Sequence, residues 1–65
     1  MNATIRKTEV TDYVDFRTDR VRTGRAFEIV FENGLEMYLP ASWTKARVSE
    51  YVASQMGGVY IEWIA

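Results

Sequence analysis

Neither cysteine nor histidine occurs among the 65 residues, and proline occurs once. The first two absences exclude disulfide staples, thiolate chemistry and imidazole ligands for a metal. They also remove any nucleophile–histidine pair of the kind that drives acyl transfer. Glycine is scarce, and none of the four residues belongs to a phosphate-cradling loop or a cofactor fingerprint. Charge of one sign is missing too, since eight lysines and arginines face nine aspartates and glutamates for a net charge of −1. No global field therefore steers the molecule onto a nucleic-acid backbone, and binding of that kind would have to be local. No apolar run approaches membrane-spanning length, and the start "MNATIRKTEV" lacks the apolar core of a signal peptide. The expectation is a cytoplasmic protein with no membrane contact, in which the sequon-like Asn2-Ala3-Thr4 is accidental. Repeats, low-complexity tracts and linkers are also absent, so residues 1–65 read as a single domain.

Apolar mass is what the chain does have, with 48% hydrophobic and 14% aromatic residues. A domain of this size buries only about 60% of the surface its unfolded chain exposes, which leaves thin stability. Without disulfide or metal, such a scaffold relies on a tight apolar core or on burial against another chain. A small accessory, inhibitor or phage-type protein fits that description.

The stretch "RAFEIVFENGLEMYLP" reads as one β-hairpin turning at Asn33-Gly34. A two-residue turn would mix Leu35, Met37 and Leu39 with Glu28 and Glu32 on one face, which spoils both faces. A three-residue loop, Glu32-Asn33-Gly34, with glycine in a left-handed bulge, restores the pattern. Phe31 then opposes Leu35, Ile29 opposes Met37, and Phe27 opposes Leu39. The other face carries Ala26, Glu28, Val30, Glu36 and Tyr38.

Upstream, "TEVTDYVDFR" alternates as a strand, with Val10, Val14 and Phe16 on one face and Thr11, Tyr13 and Asp15 on the other. The polar "TDRVRTG" reads as a loop joining this strand antiparallel to the hairpin. After Pro40 comes one helix in "SWTKARVSEYVASQMGG", capped by Thr44 or by its rival Ser42. Trp43 is placed to staple onto Val48, and Gly57-Gly58 to end the helix. Val48, Tyr51, Val52 and Met56 form its apolar stripe, which suits the apolar hairpin face. The closing "VYIEWIA" reads as a strand covered on both sides. A right-handed crossover would set it parallel to strand one. The predicted fold class is α+β: a small single-layer, mainly antiparallel sheet with one helix packed on one face, in the order β-β-β-α-β.

Candidate chemistry is sparse. Glu28 and Glu36 sit diagonally on adjacent strands, roughly 7–8 Å apart at the backbone. Paired carboxylates serve glycosidases, but in a deep cleft that so short a chain does not build. Asp12, Asp15 and Asp19 match no calcium-loop spacing and read as ordinary surface acids. No cofactor and no metal is expected. Arg17, Arg20, Arg22 and Arg25 against Asp19 make the upstream loop locally cationic, suited to carboxylate or phosphate. No aromatic residue is interleaved there to stack on bases. The non-helix face of the sheet gathers Tyr13, Tyr38 and Val30 with Glu28 and Glu36, joined by Tyr60 or Ile64, in an interface-like composition. The helix's outer face, Ala46, Ser49, Glu50, Ala53 and Ser54, is small and smooth.

These features add up to a small non-enzymatic protein-binding module, an inhibitor or adaptor that occupies a surface on another protein. Its expected contacts are Tyr13, Arg17, Arg20, Arg22, Arg25, Glu28, Val30, Glu36 and Tyr38. Homodimerisation is a second way to cover the same surface. The alternative is a nucleic-acid-binding protein that uses the Arg17–Arg25 loop as a dimer.

Overall fold

The computed structural model describes residues 1–64. Along the chain run β1 (Asn2–Lys7), β2 (Thr11–Asp15), β3 (Arg20–Gly24), β4 (Ala26–Phe31), β5 (Glu36–Pro40), α1 (Lys45–Met56) and β6 (Tyr60–Trp63). The fold is α+β, with four strands in a mixed sheet ordered β5-β4-β1-β6 and a separate two-stranded ribbon of β2 and β3.

The hairpin adopts the bulged register. Ile29 lies opposite Met37 and Phe27 opposite Leu39. Phe31 N–H donates to Leu35 O at 2.9 Å, and Gly34 N–H donates to Phe31 O at the same distance. Those two bonds define a type I turn followed by a glycine bulge. Gly34 takes φ 92°, where a Cβ is penalised, so the residue type follows from the turn. Leu35 departs from expectation. It lies just beyond the bulge and is exposed rather than part of the core.

Two strands escape the sequence reading. β1 lies in a stretch to which the sequence reading assigns no element, yet it forms the centre of the sheet, antiparallel to β4 and parallel to β6. Only Ala3 and Ile5 point inward from it, too few apolar positions to show a period. The final strand is indeed parallel to the first strand of the chain, but that strand is Asn2–Lys7. β3 occupies the segment read as a polar loop. It pairs with β2, so β2 does not join the hairpin. The expected order β-β-β-α-β thus becomes five strands, the helix and a sixth strand.

β6 is covered on one side only. Ile61 and Trp63 are half-buried, whereas Tyr60, Glu62 and Ile64 are exposed along the sheet margin. The apolar C-terminal run therefore makes an edge strand, contrary to the two-sided burial expected of it.

The core is the predicted seam of hairpin and helix, enlarged by β1. Phe27, Ile29, Phe31, Met37 and Leu39 form one cluster with Ala3, Ile5, Val48 and Val52. Thr44 is the helix cap, its side-chain oxygen accepting Arg47 N–H at 3.1 Å. Gly57 ends the helix at φ 62°, its N–H donating to Ala53 O at 2.8 Å. Trp43 packs at the margin of the cluster and meets Tyr51 edge-on at 5.6 Å between centroids. No helix among the described residues is long and apolar enough to cross a membrane.

Candidate functional site

The strand registers place Arg6, Glu28 and Tyr38 in one row across β1, β4 and β5 on the face away from the helix. Glu28 Oε1 accepts from Arg6 Nε at 2.7 Å, and Glu28 Oε2 accepts from the Tyr38 hydroxyl at 2.9 Å. Glu36 Oε1 lies 3.3 Å from the same hydroxyl, so one proton is offered to two carboxylates. The Arg6 hydrogen bond, then that of Tyr38, holds the Glu28 carboxyl below its ordinary 4.5. The hydrogen bond to Glu28, reinforced by burial, pushes Tyr38 up to about 12. A proton-donating glycosidase acid needs the opposite shift at its carboxyl, so Glu28 is not tuned for that role.

These shifts fix a pH dependence. Glu28 binds its proton more weakly folded than unfolded, so its contribution is present above 4.5 and lost as pH falls through the carboxylate range. Tyr38 is favoured in its protonated form, so its contribution is present below 10 and lost as pH rises from 10 to about 12. Tyr38→Phe is expected to flatten the alkaline fall of the melting temperature and to shrink the acid one. Equal slopes in the natural chain and the variant between pH 9 and 12 would reject the assignment.

The face is less open than expected. The ribbon folds back so that Phe16 N–H donates to Tyr38 O at 2.9 Å. Tyr13 then lies 6.4 Å from the Tyr38 ring between centroids and is only 8% exposed. Tyr13 therefore serves the molecule's own packing, which corrects its placement as an open-face anchor. A groove of about 500 Å³ remains between ribbon and sheet, lined by Arg6, Thr8, Thr11, Asp12, Tyr13, Val14, Glu28 and Tyr38. Val30 is half-buried on the same sheet face, and Glu36 is exposed.

The four arginines do not form one mobile loop. Arg22 Nη1 and Arg17 Nη2 approach Asp15 Oδ2 at 3.3 Å and 3.7 Å. Asp15 is fully buried, which corrects its reading as a surface acid, and its Oδ1 accepts Arg17 N–H at 2.9 Å. Arg25 Nε donates to Thr8 O at 3.1 Å. Arg20 is exposed opposite Asp15 in the ladder. Asp12 accepts from the Thr23 hydroxyl at 2.6 Å, and Asp19 closes the β2–β3 turn at φ 58°. The three aspartates are thus dispersed. On the helix's outer face, Ala46, Glu50, Ala53 and Ser54 are exposed and Ser49 is half-buried.

What sequence reasoning missed is the outward face of the ribbon. The alternation sorted its residues correctly, but the polar-looking side, with Tyr13 and Asp15, is the buried one. Val10, Val14, Phe16 and Val21 are left 69%, 47%, 42% and 70% exposed. Val14 and Val21 are direct cross-strand partners. The signal for this was the second alternation, in "RVRTG", which three polar residues out of five disguise as a loop. The chain matches no protein-family model, no curated protein and no solved structure.

Proposed function

We propose that this chain is a small non-catalytic protein-binding module, an inhibitor or adaptor whose contact surface is the outward face of the β2–β3 ribbon. The observation that carries this reading is the solvent-facing Val14–Val21 pair, with Val10 and Phe16 exposed nearby. The ribbon is held to the body through the Tyr13–Tyr38 contact, the Phe16 N–H to Tyr38 O bond and the edge-on packing of Phe16 on Tyr51, and Val10, Val14 and Val21 stay outside the core cluster. Clustered apolar side chains left in solvent are what protein interfaces present. By the strand register Asp12 and Thr23 share the outward face with the valines, whereas Arg20 and Arg22 lie on the opposite face with Asp15 and Tyr13. The fitting partner is a protein with a matching apolar patch. Tyr38, Glu28, Val30 and Glu36 lie on the sheet face behind the ribbon and extend the contact only if the partner reaches the groove. A nucleic-acid role for the arginines as one loop has weaker ground, since Arg22 engages Asp15 and Arg25 engages a backbone carbonyl.

The test is capture with the immobilised chain beside the Val14→Thr, Val21→Thr double variant, which keeps β-branched side chains in both strands. The expected result is a protein retained by the natural chain and held roughly tenfold or more weakly by the variant, each lost valine contact being a sizeable share of binding. Melting temperatures should agree, showing that the fold survives. Equal retention of that protein, or capture of nucleic acid that nuclease abolishes, rejects the reading. Recovery of a second copy alone would move the surface to self-association.

A further inference from the structure

A second feature lies where the β2–β3 turn meets α1. Arg47 Cζ is 3.9 Å from the Trp43 ring centroid, and Arg17 Cζ is 4.7 Å from the same centroid. Two guanidiniums from distant parts of the chain therefore share one indole, beside a groove of about 380 Å³ lined by Arg17, Trp43, Arg47, Glu50, Tyr51 and Ser54. The ring's π-system attracts each cation, but it carries no net charge to cancel theirs. Arg17 has only the long 3.7 Å approach to Asp15. Among the described residues, Arg47 has no carboxylate within ion-pair distance, although Glu50 lines the same groove. The first turn of α1 contains no acidic residue that would compensate locally.

We propose that this groove binds a phosphate group, as free phosphate or as a phosphate monoester, held by Arg17 and Arg47. One guanidinium fork satisfies the two oxygens of a carboxylate. Two forks lining one groove call for a second charge and further acceptor oxygens, which the tetrahedral phosphate dianion supplies. Trp43 orients both forks by stacking. Glu50 opposes the anion and tunes the site to be weak.

The experiment follows the two indole N–H resonances of the ¹⁵N-labelled full chain during titration at constant ionic strength, with Trp43→Phe used to tell them apart. Inorganic phosphate is expected to shift the Trp43 signal saturably, with a dissociation constant on the order of millimolar, and to leave Trp63 unmoved. Arg47→Ala should weaken binding about tenfold, the usual loss for a hydrogen bond to a charged group. Glu50→Gln should tighten it roughly two- to threefold by removing a like charge. Acetate should not saturate. Stronger binding of O-phosphoserine than of inorganic phosphate would assign the site to a phosphorylated partner, and the reverse to the free ion. An unmoved Trp43 signal, acetate binding as well as phosphate, or an Arg47→Ala variant of unchanged melting temperature and unchanged affinity would overturn the proposal.

Discussion

Ile5→Ala is expected to lower the melting temperature by about 15–25 °C, the largest effect of any single substitution considered for this chain. Ile5 is fully buried, stands in the central strand of the sheet, and faces Ile29 on one side and Trp63 on the other in the strand registers. Truncation removes its apolar surface from the core and leaves a void that β-strands hydrogen-bonded on both sides cannot easily close. Such changes cost about 2–5 kcal/mol. A chain of 65 residues has a total stability of only about 3–10 kcal/mol at the usual rate per residue. Much of the variant would therefore be unfolded under mild conditions. Val10→Ala is the matched control, because Val10 is exposed, and its effect should stay within about 0.5 kcal/mol. Thermal unfolding followed by circular dichroism checks both. A fall of only a few degrees for Ile5→Ala would show that β1 does not sit between β4 and β6.

Asp15→Ala is expected to cost about 2–3 kcal/mol and to loosen the ribbon before the main sheet. The Asp15 carboxylate is fully buried, yet it accepts the Arg17 backbone N–H and faces two guanidiniums. Those guanidiniums belong to side chains 34% and 51% exposed. Once the carboxylate is gone, they turn to water instead of remaining stranded in low dielectric. The loss is therefore that of charge-assisted hydrogen bonds, not the larger penalty of an abandoned buried charge. Arg22→Ala is the instructive counterpart, because it leaves the buried carboxylate in place with Arg17 alone. Native-state hydrogen exchange separates local from global effects. Amides of Thr11–Asp15 and Arg20–Gly24 should lose protection in Asp15→Ala while those of β4 keep more of theirs. Uniform loss across both sheets, or none, would contradict a locking role for Asp15.

Much of the architecture was legible from residue order. The hairpin register followed from a steric argument about glycine and from keeping one face apolar, and of its three facing pairs Ile29–Met37 and Phe27–Leu39 stand in the ladder. The helix, its Thr44 cap and its glycine stop were readable because capping and left-handed geometry depend on neighbours in the chain. The α+β class and the meeting of Val48 and Val52 with the hairpin followed from matching one apolar stripe to one apolar face.

The candidate site was legible only as an inventory. Glu28, Val30, Glu36 and Tyr38 were assigned to the correct sheet face, because parity along a strand is a local property. Tyr13 was not, and the four arginines were grouped by proximity in sequence where the fold disperses them. Trp43 and Arg47 went unnoticed as neighbours of Arg17, since no local rule brings residues 17 and 47 to one ring.

Alternation and capping, then, specify turns, the helix and which side chains share a face, since each acts over a few residues of chain. They are silent on which of two faces is buried. That choice belongs to whatever segment is laid against it. Here β5 and the outer face of the sheet receive the Tyr13 and Asp15 side of the ribbon and leave its valines in water. The central place of β1 has the same origin. Its backbone donors and acceptors find partners only after β4 and β6 arrive from far along the chain, and six mixed residues carry no trace of that meeting.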